Sequence, residues 1–327
     1  MSGRVGRLAG MRQERRSSTL LTPEPPAATA PTAFIALALG IVYVVWGSTY
    51  LAIRITVQDL PPLSSAGWRY LCGAGLLAAV LASRGGLRRL RATRSQLRGC
   101  ALLGFLLPAA GNGLVSTGED LGAPSGIASL LVAAIPLWVI VYRAATGDRP
   151  SRRTTAGVLL GFAGLVGLIS AAGIGGDIPI GPCLVIVVAS ICWSFGSWKM
   201  PSLTLPTDPF VVAVYEMAFG SVFLMLGGAL SGEDVIPRSA PTDSWLAWVY
   251  LVIFGSLIAF TAYAWVLNAA PISLVATYAY VNPVVAVLLG WLVVSEPITP
   301  AILIGGAVVI VGVALVVSAE RRTTATA

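Results

Sequence analysis

Two charged residues stand inside stretches that are otherwise apolar, Arg69 and Glu216. A guanidinium in such surroundings can grip a carboxylate through a planar two-point fork. A carboxylate there can bind a cation, or take up and release a proton as its surroundings alternate between dry and wet. A charge in an apolar medium costs at least about 2.5–3.5 kcal/mol on insertion scales, so each needs a compensating role. The two residues are 147 positions apart, and each follows a proline, Pro62 or Pro209, by seven positions. One reading makes them charged walls flanking a central site, with Glu216 as a coupling carboxylate. The other is snorkelling, in which a long side chain carries its head to the interface; the shorter carboxylate does this less readily than arginine.

Aromatic residues supply the rest of the candidate chemistry. Trp46, Trp193, Tyr263, Tyr278 and Tyr280 fall in the middle of apolar runs, away from the ends where Trp and Tyr serve as interfacial anchors, as Trp245 and Trp248 are expected to do. They could line a cavity, stack on a substrate and offer hydroxyls, and plain helix packing is the competing account. Pro136 and Pro283, also 147 apart, would kink their helices and open space at the centre. Glu296 is expected to be structural, a carboxylate near the start of the last helix favouring the free amides there.

Other chemistries are absent from the pattern. The chain has no histidine, which removes the commonest general base and metal ligand. Its four cysteines, Cys72, Cys100, Cys183 and Cys192, lack paired metal or redox spacing and read as small hydrophobes. No Gly-x-x-x-x-Gly-Lys-Ser/Thr pattern offers a nucleotide site, and no nucleophile-plus-base constellation suggests catalysis. No cofactor or metal is expected. The net charge is +7, but the arginines cluster between apolar runs rather than on one face interleaved with aromatics, so nucleic acid is not the expected partner.

The elements that position these residues must be membrane helices. The chain of 327 residues is 56% hydrophobic and 11% charged, with mean hydropathy +0.85, too few charges to cover the surface of a soluble fold. Residues 1–32 are rich in Arg, Pro, Ser and Thr and read as a disordered cytosolic tail. An apolar run from Ala33 to Ile53 is too long for a signal-peptide core. Further runs cover 63–82, 99–118, 121–142, 154–176, 178–198, 209–232, 244–295 and 297–319. The longest must be two helices, broken near Asn268 and Pro271. The total is about ten spans of bilayer length. With the N-terminus inside, every basic residue except Arg54, Arg69 and Arg238 falls on a cytoplasmic segment, as the positive-inside rule requires. Both termini, including the tail 320–327, are then cytoplasmic in a multi-pass plasma (inner) membrane protein. Gly157, Gly161, Gly164 and Gly167 share a helix face and would let a neighbour approach closely.

The 147-residue shift also aligns Trp46 with Trp193, Pro124 with Pro271, Pro136 with Pro283 and Pro150 with Pro297. This divides the ordered chain into repeats at 33–173 and 178–319, each of five helices. An odd number sends the second copy into the membrane from the opposite side, the arrangement from which alternating access is built. The expected fold is all-α, with ten transmembrane helices as two inverted five-helix repeats.

On these residues the chain resembles the drug/metabolite transporter superfamily, in its EamA-type branch with two EamA domains. Trp46-Gly47-Ser48-Thr49-Tyr50 resembles the family's first-helix motif, and Pro61-Pro62 with Arg69, and Pro136, fit its second and fourth helices. Asn282-Pro283, Ser295-Glu296-Pro297-Ile298-Thr299 and the stretch Gly305 to Gly312 are similar to its last two helices. The departures are Gly147-Asp148-Arg149-Pro150 in place of a Glu-containing turn, and the loss of Gly-Ser after Trp193. The resemblance implies a secondary transporter, commonly an exporter, of small metabolites such as amino acids. Partners would then be a small-molecule substrate, the lipid bilayer and, for coupling, protons. Efflux of drugs or cationic compounds, with Glu216 pairing the cation, is the alternative; an intramembrane enzyme or a channel fits less well.

Overall fold

The computed structural model describes residues 32–147, 150–174, 180–236, 239–270 and 278–325. The expected N-terminal tail, Pro271 and Arg238 lie outside the described residues, as does the Tyr280 side chain. All regular structure among the described residues is helical. The rods are α1 (Thr32–Thr56), α2 (Pro62–Gly85), α3 (Arg94–Asp120), α4 (Ser125–Ala145), α5 (Arg152–Ile174), α6 (Ile180–Ser202), α7 (Pro209–Leu230), α8 (242–269), α9 (Tyr278–Val294) and α10 (Pro300–Ala325). Seven stretches among the described residues are long and apolar enough to cross a membrane, with shorter apolar helices at Val281–Val294 and Pro300–Val316. The last helix runs through Ala325, so residues 320–325 of the expected tail continue it.

Local chemistry fixes these boundaries. Pro62 and Pro209 occupy first helical positions, where a missing N–H costs nothing. Asp208 caps α7 through the Phe210 amide, and Thr93 with Gln96 forms a capping box at α3, satisfying amides that have no partner inside the helix. Beyond α2, α3, α4 and α7 the chain turns at Gly86, Gly122, Gly147 and Gly232, all at positive φ, a conformation glycine adopts without Cβ strain.

The helices pack as α2 on α7, α5 on α10, α4 on α9, α3 on α6 and α7, and α1 on α8 and α9. One core cluster joins Leu131 and Leu137 of α4 to Ile186 of α6 and Val309 and Val313 of α10. A second joins Tyr70 and Leu77 of α2 to Met217 and Leu224 of α7. All four cysteines are free, with Cys100 and Cys183 fully buried in these contacts. Leucines and valines such as Leu37, Val44, Leu159 and Leu226 point outward, as side chains facing lipid do. α4 is interrupted at Ala133-Ala134, and Pro136 is the second residue of the resumed segment. Pro283 instead lies within a continuous helix.

The α5–α10 seam depends on glycine. A Cβ on Gly164 would come within 2.8 Å of the Val309 backbone nitrogen, and one on Gly157 within 2.9 Å of the Gly312 carbonyl. Gly167, on the same expected face, has nothing within 4 Å. Because backbone rather than a mobile side chain blocks the space, Gly164→Val should cost about 1–3 kcal/mol by overpacking. Thermal unfolding of purified protein in detergent should show a lowered midpoint for Gly164→Val and an unchanged one for Gly167→Val; equal midpoints would count against this seam.

Candidate functional site

Three helices depart from α geometry toward the centre of the bundle: π segments at Val42–Trp46 in α1, Phe105–Asn112 in α3 and Leu251–Ile258 in α8. Pro108 lies within the second and, lacking an N–H, breaks the regular ladder there. Such widened turns occur at functional sites because they re-aim side chains. Here they bring Trp46, Asn112 and Gly255 to one cavity of about 660 Å³, counting its mouth. Tyr50, Arg69, Tyr70, Ser190, Trp193, Phe260, Tyr278 and Asn282 also line it.

Trp46 is the hub. Its Nε1 donates to the Gly255 carbonyl across 3.4 Å. Its ring meets those of Trp193 at 6.3 Å, Phe260 at 5.6 Å, Tyr263 at 4.7 Å and Tyr278 at 5.5 Å, the first two and last edge-on. Edge-to-face contacts suit the ring quadrupole. Trp46, Trp193, Tyr263 and Tyr278 are therefore brought together, although Tyr263 backs the wall rather than forming it. The α3–α6 approach at this level requires Gly111, where a Cβ would lie 2.8 Å from the Trp193 ring. Asn282, oriented so that Nδ2 donates to the Tyr43 and Tyr278 carbonyls, each at 3.2 Å, holds α9 against α1.

The two intrahelical charges have different surroundings. Arg69 is on the cavity wall and 4% exposed. Its Nη2 donates to Asn112 Oδ1 at 2.9 Å and its Cζ lies 4.3 Å from the centroid of the Tyr70 ring. Glu216 is equally buried but lies off the wall, and its Oε1 has no hydrogen-bond partner.

The sequence reading placed no other carboxylate within a helix, and the structure corrects this. α3 extends to Asp120, so Glu119 sits in its last turn, fully buried with both carboxylate oxygens unpartnered. Its backbone carbonyl accepts from Arg54 Nη1. A buried carboxylate without a partner is costly, and the signal that could have found it is the apolar run 121–142 resuming two residues later. Asn112, Tyr50 and Phe260 were also missed, being ordinary residue types within helices.

Glu296 is structural in a way other than expected. α10 begins only at Pro300. Glu296 instead reaches the start of α4, accepting from the Ser125 amide at 2.8 Å, the Ser125 hydroxyl at 2.9 Å and the Gly126 amide at 3.3 Å. Glu233, beyond α7, does the same for α2, accepting from Leu63 N at 3.1 Å and Ser64 N at 2.7 Å.

A bundle of apolar helices around a central polar and aromatic cavity defines the class of multi-helix membrane proteins with an internal cavity. The sequence profile of the EamA-like transporter family matches residues 33–170 and 180–318, and the chain belongs to that family of membrane transporters. The Escherichia coli K12 protein described as "Uncharacterized inner membrane transporter YedA" is 40% identical over 253 residues, 77% of this chain and 80% of that one. A Streptantibioticus cattleyicolor protein described as "Probable terminal-alkyne amino-acid exporter" is 29% identical over 289 residues, 88% of this chain and 93% of its own. A solved crystal structure shares the fold with TM-score 0.62 at 22% identity, over 89% of this chain and 99% of that one.

The Glu296 contacts are hydrogen bonds to an ionised acceptor, worth about 1.5–3 kcal/mol apiece. Glu296→Ala should lower the unfolding midpoint in detergent markedly, and Glu296→Gln, which keeps one acceptor, by roughly half as much. An alanine variant melting like the parent would rule out the clamp.

Proposed function

We propose that this transporter is a secondary active exporter of small metabolites, such as amino acids, working by alternating access in the plasma (inner) membrane. In this reading ten helices cross the bilayer as two inverted five-helix halves, residues 33–173 and 178–319, with both termini cytoplasmic. The observation that carries it is a central cavity walled by helices of both halves and lined by Trp46, Arg69, Trp193 and Tyr278. A rocking motion of one half against the other would expose such a site first to one side and then to the other.

The packing pattern supports the repeat. Exchanging each helix with the one five places on turns the contact of α1 with α8 into that of α6 with α3. It turns α1 with α9 into α6 with α4, and α2 with α8 into α7 with α3. The pairs α2–α7, α4–α9 and α5–α10 map onto themselves. The π segment at Phe105–Asn112, shifted by 147, falls one residue from that at Leu251–Ile258. The amino-acid reading draws on the Streptantibioticus cattleyicolor relative. Cation efflux is less well supported, because the wall carries Arg69 and none of its described residues is a carboxylate.

Orientation is tested by labelling. On a cysteine-free background, a cysteine at Arg91, in the basic segment between α2 and α3, should resist a membrane-impermeant maleimide in intact cells and react after permeabilisation. Ready labelling of intact cells would reverse the orientation.

Transport and coupling are tested together in liposomes. Trans-substrate should accelerate uptake of labelled substrate, since counterflow requires a carrier and a channel shows none. Glu216 is the proposed proton carrier, and Glu216→Gln removes titration while keeping shape. That variant should lose pH-driven accumulation and retain exchange, with Glu119→Gln as the matched comparison for a second buried carboxylate. pH-driven accumulation at the parent level in Glu216→Gln would end the assignment of Glu216.

A further inference from the structure

Arg69 is the cavity's unanswered charge. It donates to one neutral acceptor, Asn112, while its Nε has no hydrogen-bond partner. The ion pair of Arg89 with Asp208 involves neither Arg69 nor any other residue of this wall. A guanidinium buried with so little compensation is costly unless an anion completes it. The same cavity is lined by Trp46 together with Trp193, Phe260 and Tyr278, whose rings meet it edge-on.

We propose, building on the transport reading above, that the cavity binds an organic acid with one carboxylate and a flat aromatic body. The carboxylate docks beside the Arg69–Asn112 pair, where guanidinium N–H groups that Asn112 leaves free and the Asn112 side-chain amide can both donate to it. The body lies alongside Trp46 and Trp193, where ring–ring contact adds to apolar burial. No carboxylate on the described wall answers an ammonium. Tyr50, Ser190, Tyr278 and Asn282 are neutral, and the buried carboxylates of Glu119 and Glu216 are off the lining. A cation would face Arg69 unshielded, and a zwitterion would bury a second charge with only neutral acceptors. The site therefore favours a simple aromatic acid over the amino acid of the same skeleton, which keeps the small-metabolite reading above and replaces its amino-acid example.

A matched series separates these classes: phenylpropanoate, phenylalanine and phenylethylamine share a ring and a two-carbon chain and carry a carboxylate, both groups, and an ammonium respectively. Binding of labelled phenylpropanoate to the purified full-length protein, and its displacement by the other two, reads the ranking. Phenylpropanoate should bind at least about tenfold more tightly than phenylalanine, with phenylethylamine weakest. Arg69→Gln should weaken phenylpropanoate by about 30-fold or more, the cost of deleting one member of a buried charge pair, with Arg69→Lys in between. If Arg69→Gln does not fold, Asn112→Ala reads the same dependence from the other contact. Equal or tighter binding of phenylalanine, unchanged phenylpropanoate binding in a folded Arg69→Gln, or no binding by any of the three overturns the proposal. Binding with the expected ranking but no counterflow in liposomes would uphold the site and remove the transport reading instead.

Discussion

Inside a bilayer a backbone amide or carbonyl that leaves its helical ladder finds no water to replace the lost hydrogen bond. Irregular backbone is therefore tolerated only where protein or a cavity receives it, and the rest of this structure follows that constraint. The departures from α geometry within α1, α3 and α8 converge on one place, and each sets a wall residue there: Trp46, Asn112 and Gly255. The break in α4 at Ala133-Ala134 falls at the same place, with Val132 and Ile135 on the cavity wall. The cavity is thus the point at which the ladders of several helices yield together.

The same constraint governs the charges. Arg69 can be retained because the widened turn of α3 delivers Asn112 to it and α2 itself delivers the Tyr70 ring, a partial shell that leaves the buried Nε without a hydrogen-bond partner. Glu216 and Glu119 have less, each with carboxylate oxygen lacking any hydrogen-bond partner among the described residues. A scaffold selected for stability alone would replace such groups with apolar side chains of similar volume, a change that is often neutral or stabilising. Under the proposed alternating access the surroundings of these groups would change during the cycle.

Much of this was legible in the sequence because lipid imposes a coarse code. Uninterrupted apolar runs marked the helices, and mid-run aromatics marked the centre: Trp46 and Trp193, far apart in the chain, meet edge-on. What could not be read depends on geometry that hydropathy does not carry. Glu119 looked like a loop residue because the apolar run stops at 118, yet α3 continues for a further half-turn and folds it inward. Asn112 carries no signature until Pro108 widens the turn before it. Glu296 is close in sequence to α10, and its position suggested a cap there. Its actual partners, Ser125 and Gly126, lie about 170 residues away, a distance at which no local rule operates.

Those long-range clamps make the two ends of the bundle unequal. Where α2 and α4 begin, Glu233 and Glu296 reach across from the segments following α7 and α9 and accept five hydrogen bonds between them. Bonds of this charge-assisted kind are roughly twice as strong as neutral ones. At the opposite end the links are the half-exposed Arg89–Asp208 pair at 2.8 Å, Gln96 donating to the Leu205 carbonyl and Tyr215 donating to the Leu90 carbonyl. Exposed ion pairs of this type contribute about 0–1 kcal/mol. Under the proposed inverted arrangement the two halves would give inward-open and outward-open forms of similar shape. Among the described residues the glutamate clamps belong to one end, so forms alike in shape need not be alike in energy. Parting the bundle where α2 and α4 begin must strip carboxylates from the helix amides they satisfy, whereas parting it at the other end separates contacts that water can replace.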